Sequence, residues 1–288
     1  MKKRKSSARI PSLASLLGGA KNADRFLDTA WPNEPFVMHG APSRLIGLVD
    51  VPELKSAETM CGVPCRALLA QGQHLGGKQR FGNIAVEPSV APSLLETGAT
   101  LYFNEPEFRS RSLWKWIRSL ERELGQQPGV IRPSAFFSAP GRGARMHFDC
   151  TESFVVQVRG RKTWTFARNE HVAFPPVNYL EGDPLPDELR ELVRGPMKAP
   201  SAKKRVSVEL KPGSVLYLPR GWWHSTHTTE TSVHLDLLTA LPTWADAARP
   251  LIESVLHRGE AWRAPVTTAD PTKTDALLAD VRAALSAR

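Results

Sequence analysis

Cysteine is scarce in this chain, with three in 288 residues. A small and odd number excludes a disulfide-built secreted domain. Cys61 and Cys65, in CGVPC, stand four apart, but no second pair completes a thiolate metal site, so both are read as ordinary thiols in a loop or helix end. Long apolar runs are also missing. Nothing approaches the ~20 residues that cross a bilayer, and after the basic start MKKRK the stretch SSARIPSLASLLGG is interrupted by Arg9 and Pro11. A soluble, cytoplasmic protein without membrane contact is expected. Acidic residues fall short as well: 29 against 38 basic, a formal charge of +9, which favours encounter with acidic surfaces. No helix-turn-helix, RNA-recognition motif or zinc finger is present, so any nucleic-acid contact would be electrostatic and salt-sensitive rather than sequence-specific.

What is present begins with His147-Phe148-Asp149. Two imidazoles and a carboxylate can hold one face of an iron(II) ion and leave the opposite positions open. Composition alone yields about 0.3 His-x-Asp matches by chance, so one match is a weak signal. The chain has two. The second, His234-Leu235-Asp236, lacks a later histidine partner apart from His257, in the helix-like ARPLIESVLHR; the first is followed by His224 in YLPRGWWHSTH. A ligand returning 75 residues later suits a distant strand of a barrel. His227 is the rival ligand, but residues an odd number apart on a strand face opposite ways, and His224 is chosen.

After Asp149 the runs SFVVQV and RKTWTFA flank Arg159-Gly160, which reads as a β-hairpin. On the second run Lys162, Trp164 and Phe166 share a face, and the apolar pair turns Lys162 inward. A buried ammonium requires an anion; a carboxylate ligand is the counterpart expected, against the alternative that Lys162 snorkels to water at a strand end. KPGSVLYLPRGWWH starts at a Pro-Gly turn, alternates through Val215 and Tyr217, and breaks at Pro219 before His224. Adjacent Trp222 and Trp223 divide between inside and outside, with Trp223 taken as a pocket-wall candidate. His234 and Asp236 share a strand face; Asp236 is the second pocket-wall candidate, and a hydrogen-bonded structural pair is the competing reading.

HFD at 147 to 149, FVVQVRGRKTW at 154 to 164 and PGSVLYLPRGWWH at 212 to 224 together resemble the JmjC-type, cupin-fold iron(II) and 2-oxoglutarate oxygenases, in the branch of asparaginyl hydroxylases and ribosomal oxygenases. The resemblance implies that Lys162, thirteen positions after Asp149, grips the distal carboxylate of 2-oxoglutarate. It also places Tyr102, in TLYFNEP, against the same carboxylate, with a half-buried core tyrosine whose hydroxyl stays wet as the competing reading. Ala144 stands where asparaginyl hydroxylases carry a threonine, so the cosubstrate pocket differs in detail. Similarity spans roughly residues 25 to 242.

The fold expected is mainly β (α+β): a double-stranded β-helix (jelly-roll, cupin) barrel with an N-terminal α/β flank and C-terminal helices. Residues 1–20 read as a flexible basic tail, 21–242 as the JmjC/cupin-like catalytic domain with its barrel at about 131–242, and 243–288 as a helical segment. RSRSLWKWIRSLER at 109–122 reads as an amphipathic helix with Leu113, Trp116, Ile117 and Leu120 facing the core, in preference to a nucleic-acid stripe. The Pro- and charge-rich stretch from Phe174 to Arg205 reads as an insertion between strands. By resemblance, a homodimer through the C-terminal helices is expected. The function expected is an Fe(II)- and 2-oxoglutarate-dependent oxygenase, with O2 as cosubstrate, hydroxylating a side chain of a protein, a ribosomal protein favoured. Alternatives are a hydroxylase of a small peptide or amino-acid-derived metabolite and a non-oxidative metal-binding cupin, which would not need Lys162.

Overall fold

The computed structural model describes residues 13–45, 54–56, 59, 68–71, 83–104, 110–193, 195–265 and 271–286; Cys61, Cys65 and residues 1–12 lie outside them. Thirteen strands are described: β1 (Phe36–Met38), β2 (Leu68–Gln71), β3 (Asn83–Ala85), β4 (Thr100–Asn104), β5 (Ile131–Ser138), β6 (His147–Phe148), β7 (Glu152–Arg159), β8 (Lys162–Ala167), β9 (Tyr179–Leu180), β10 (Val206–Leu210), β11 (Val215–Leu218), β12 (Trp223–His227) and β13 (Ser232–Thr239). They form an eight-stranded sheet in the order β1-β11-β7-β13-β5-β4-β2-β3 and a five-stranded sheet in the order β10-β8-β12-β6-β9. The described pairings are antiparallel. From β5 onward the chain passes repeatedly between the sheets, staying in the small one only from β8 to its neighbour β10. This is the double-stranded β-helix expected from the sequence.

One local expectation fails. β7 and β8 are not a hairpin: β7 lies between β11 and β13 in the large sheet, and β8 between β10 and β12 in the small one. Two strand-length runs around an Arg-Gly step look alike whether the chain folds back or turns a corner, because the alternation within each run is the same. The corner is built by Gly160, at φ 59°, where a Cβ would stand 2.1 Å from the carbonyl oxygen of Thr231. The buried Gln157 amide secures it by donating to the carbonyls of Arg159 (2.7 Å) and Gly160 (3.2 Å) and to Ser232 Oγ (2.8 Å).

Period-two alternation divides the large sheet into two faces. Leu101, Phe103, Ala135, Phe137, Phe154, Val156, Val215, Tyr217, Leu235 and Leu237 face outward into a core shared with the flanking helices. The helix Arg111–Glu123 contributes Leu113, Trp116, Ile117 and Leu120 to that core, as its spacing predicts, and Ser110 caps it by accepting from the Leu113 amide. Leu13, Leu16 and Leu17 are buried in the same core. Residues 13–20 are therefore not part of a basic tail: the apolar LASLL segment is tied down by its own burial and by the Leu13 amide donating to Glu123 Oε2 at 2.7 Å.

The opposite face of the large sheet looks into the barrel. One end of that interior is apolar, with Val155, Trp164, Phe166, Leu210, Leu216 and Leu218 packed together. The other end is polar and open. Outside the small sheet, Phe148, Tyr179 and Trp223 pack against Val172 and Leu189 of the 168–205 insertion.

Residues 241–288 form a second compact unit. In it Thr243 and Asp246 make a reciprocal capping box at the start of the helix Trp244–Leu256, and that helix contacts Pro271–Ser286. No described helix is long and apolar enough to cross a membrane.

A candidate metal centre beside a buried lysine

β6 has two residues, and its first, His147, is paired across the sheet with His224 of β12. This register brings residues 77 apart in sequence to adjacent positions, their ring centroids 4.0 Å apart. Asp149 follows on the turn after β6, where its carbonyl accepts from the Gly221 amide at 2.8 Å. That bond ties the first ligand segment to the PRGWW turn delivering His224. Asp149 Oδ2 lies 3.9 Å from His147 Nε2 and 3.5 Å from His224 Nε2. The three donor atoms fall within 4.8 Å of one another, the spacing a single ion would close.

The second ring nitrogen of each histidine is fixed by the backbone. His147 Nδ1 is 2.7 Å from the carbonyl oxygen of Arg145, and His224 Nδ1 is 3.0 Å from that of Trp222. A carbonyl only accepts, so both Nδ1 atoms carry the proton and both Nε2 lone pairs point toward Asp149. Burial, then the neighbouring His147, pushes His224 down to about 4, against the pull of Asp149. A neutral imidazole is the form that binds a metal. The donor set thus fits a divalent ion held on one face.

The cavity around these groups has a volume of about 530 Å³. Its floor is polar. Lys162, 2% exposed, projects from β8 and donates to Ser138 Oγ on β5 at 2.7 Å; its Nζ is 3.4 Å from His234 Nδ1 on β13. Burial pushes Lys162 down to about 7, partly offset by Asp236. The snorkelling alternative does not hold, because the corner at Gly160 buries the start of β8. Asp236 accepts from the Ser153 hydroxyl and is pushed up to about 7, first by burial, against that hydrogen bond. Burial and then Lys162 hold the His234 ring well below its usual range, and it stacks on Phe136 with centroids 4.8 Å apart.

Tyr102 is half-buried in the cavity wall, stacked on Phe136 at 5.3 Å. His227 is exposed. Trp223, expected as a pocket wall, is instead buried against Phe148 and Tyr179 outside the small sheet. Parity explains the correction: with His224 turned inward, its neighbour on the same strand must turn out. The indole in the cavity wall belongs to Trp164, stacked on His224 at 5.8 Å and edge-on to His234. Ser138 and Trp164 were accessible to the alternation argument, since Ser134, Phe136 and Ser138 share one face of IRPSAFFS; the two backbone carbonyls behind the histidines leave no trace in sequence.

Residues 106–247 match the JmjC domain family. The match covers just under half of the chain. Beyond it, the chain is 29% identical over 229 residues to the Bacillus subtilis protein YxbC, covering 77% of this chain and 68% of that one. It is 28% identical over 167 residues to human ribosomal oxygenase 1, covering 55% of this chain. It spans only 23% of that longer protein. Among solved structures, the Escherichia coli ribosomal oxygenase YcfD in complex with cobalt and succinic acid superposes with a TM-score of 0.59 at 20% identity, over 92% of this chain and 66% of that one. The same protein with cobalt and 2-oxoglutarate gives 0.54 at 21% identity over 92% and 66%. The likeness establishes a shared fold.

Proposed function

We propose that this chain is an Fe(II)- and 2-oxoglutarate-dependent oxygenase that hydroxylates a side chain of a protein, with a ribosomal protein the favoured substrate. One observation carries the reading: the donor atoms of His147, Asp149 and His224 converge in a cavity whose floor presents the buried amine of Lys162. A metal site alone would suit many cupins. A cation sunk beside it, next to a hydroxyl and a neutral imidazole, suits a ligand with an anionic far end.

In this reading His147, Asp149 and His224 are the metal ligands. Iron(II), with 2-oxoglutarate and dioxygen as cosubstrates, supplies hydroxylation coupled to decarboxylation of 2-oxoglutarate to succinate. The protein's own residues bind and orient. Lys162 meets the distal carboxylate, Ser138 keeps the amine from collapsing onto the wall, and Tyr102 closes the same side. The carbonyls of Arg145 and Trp222 hold both imidazoles in the ligating tautomer. Trp164 excludes water behind His224. The complex of YcfD with cobalt and 2-oxoglutarate supports the pairing of metal with cosubstrate, and the ribosomal relatives support the substrate class.

A homodimer through the C-terminal helices belongs to the same proposal, supported by Trp244 at 92% and Leu251 at 60% exposure on a helix that buries none of its own residues. So does a cytoplasmic setting, where ribosomal proteins are met. The test is succinate release from purified protein with Fe(II), 2-oxoglutarate and oxygen, repeated for His147→Ala and Lys162→Ala. Equal release by all three ends the reading. Intact masses of ribosomal proteins from cells with and without the gene then identify the substrate by a shift of about one oxygen atom.

A further inference from the structure

The helix Arg111–Glu123 has two faces, and only one is accounted for by the core. At about 100° per residue, Leu113, Trp116, Ile117 and Leu120 centre on one side, while Arg111, Lys115, Arg118 and Arg122 fall on the other within about 60°. Core packing requires nothing basic there. Arg111, Lys115 and Arg122 are exposed, and Trp114 stands 44% exposed at the edge of the row with the Arg118 guanidinium 5.8 Å from its ring centroid. The helix's acids are already engaged by other partners. Glu121 is buried, accepting from the amides of Gly129 (2.8 Å) and Ile131 (3.0 Å) and pairing with Arg118 at 2.8 Å. Glu123 accepts from the Leu13 amide and from Ser119.

A groove of about 490 Å³ follows the row, bounded by Trp114, Lys115, Arg118 and Arg122, with Glu121, already paired with Arg118, also in its lining, and closed by Gln126 and Pro128. It lies behind the large sheet: Ala135 and Phe137 of β5 face the helix core, whereas Ser134, Phe136 and Ser138 face the cavity. Nothing that occupies the groove would touch the metal site.

We infer that this groove, with the end of the basic row beyond it, is a docking surface for a single strand of RNA, with Arg111, Lys115 and Arg122 against backbone phosphates and a base stacked on Trp114. The observations favour RNA over an acidic protein segment. Cations in a line of about 16 Å, about three turns of helix along one edge, match a backbone of repeated charge, and a half-exposed indole beside them is a stacking platform that a run of carboxylates cannot use. An amphipathic helix and a basic stripe are alternatives in sequence; here they are the two faces of one element. The site stands independently of the chemistry in the cavity.

The full-length protein is titrated into a fluorescein-labelled 12-nucleotide RNA of mixed sequence, and binding is followed by anisotropy at several salt concentrations. Lys115→Ala/Arg122→Ala should weaken binding about tenfold or more and flatten the dependence of log K on log salt, while Trp114→Ala weakens it about fivefold with the slope kept. Thermal unfolding and cosubstrate binding, unchanged in all variants, exclude misfolding as the cause. Poly-glutamate of equal charge should compete poorly. Three results overturn the inference: competition by poly-glutamate as effective as by unlabelled RNA, helix variants that bind like wild type, or loss of binding only when Lys2, Lys3, Arg4 and Lys5 are replaced by alanine.

Discussion

His147-Phe148-Asp149 and His234-Leu235-Asp236 share one spacing and line one cavity, yet their environments are opposite. The first pair sits where a two-residue strand ends, its side chains each 23% exposed, the imidazole oriented by a backbone carbonyl and a second histidine directly across the sheet. The second pair lies within the eight-residue β13, buried between β5 and β7, its histidine facing a lysine and its aspartate facing a serine. Place in the barrel, not the tripeptide, decides which pair is poised for a metal. A strand end leaves room for an ion and its further ligands; in the strand interior His234 and Asp236 already face Lys162 and Ser153.

The sharpest test of this contrast exchanges the two histidines' fates. His147→Ala should abolish cobalt or iron binding and reduce succinate release to background, beyond the 10–100-fold typical of groups behind the ligands. His234→Ala should keep the metal, read by titration, and weaken 2-oxoglutarate instead. Equal metal loss in both variants would erase the distinction.

Next in size is Lys162→Ala. Removing a buried cation from its anion leaves the carboxylate unpaired at about 2–5 kcal/mol, so 2-oxoglutarate affinity should fall about 30-fold or more by calorimetry while metal binding persists. Lys162→Met should cost little stability, because it deletes a buried charge and keeps the stem.

The third test is pH. With Lys162 near 7 in the absence of an anion, the amine loses its proton as pH rises above 7, so 2-oxoglutarate should bind up to about tenfold more weakly per unit between pH 7 and 9, with proton uptake on binding. The stability signs oppose one another. Asp236, raised from 3.8 to about 7, stabilises the fold at low pH and loses that contribution as pH rises through 7. Lys162, lowered from 10.5 to about 7, contributes above its unfolded value and loses it as pH falls through 7. The two depressed imidazoles, His224 and His234, offset the Asp236 contribution below pH 7, so thermal unfolding without cosubstrate should gain stability from pH 7 upward, and Lys162→Met should remove that alkaline gain. The smallest effect belongs to Trp223→Phe. Its indole nitrogen makes no hydrogen bond, so packing alone is lost, about 1–2 kcal/mol in unfolding with metal and cosubstrate binding unchanged.

The sequence was most legible where chemistry and alternation spoke together. His147, Asp149, His224 and Lys162 stand on segments whose strand character and inward face follow from neighbouring apolar residues, and the structure brings all four to one cavity. Long-range pairing was not legible. β7 and β8 look like hairpin partners because alternation does not encode which sheet a strand joins; that is set by Gln157 and by the carbonyl of Thr231 crowding Gly160. Trp223 was misplaced by reading an aromatic near a ligand as a wall, although its own parity with His224 sends it outward. The role of His234 was open because its partner, Lys162, lies 72 residues away.

Lys162 leaves the small sheet, and both groups it meets, Ser138 and His234, belong to the large one. The amine therefore bridges the two walls of the barrel at its polar end, where no apolar plug like that of Phe166 and Leu216 fills the space. A dicarboxylate seated there would rivet the walls together, so that the act of loading the cosubstrate also finishes the barrel's closure and sets how firmly the two imidazoles on the small sheet are held.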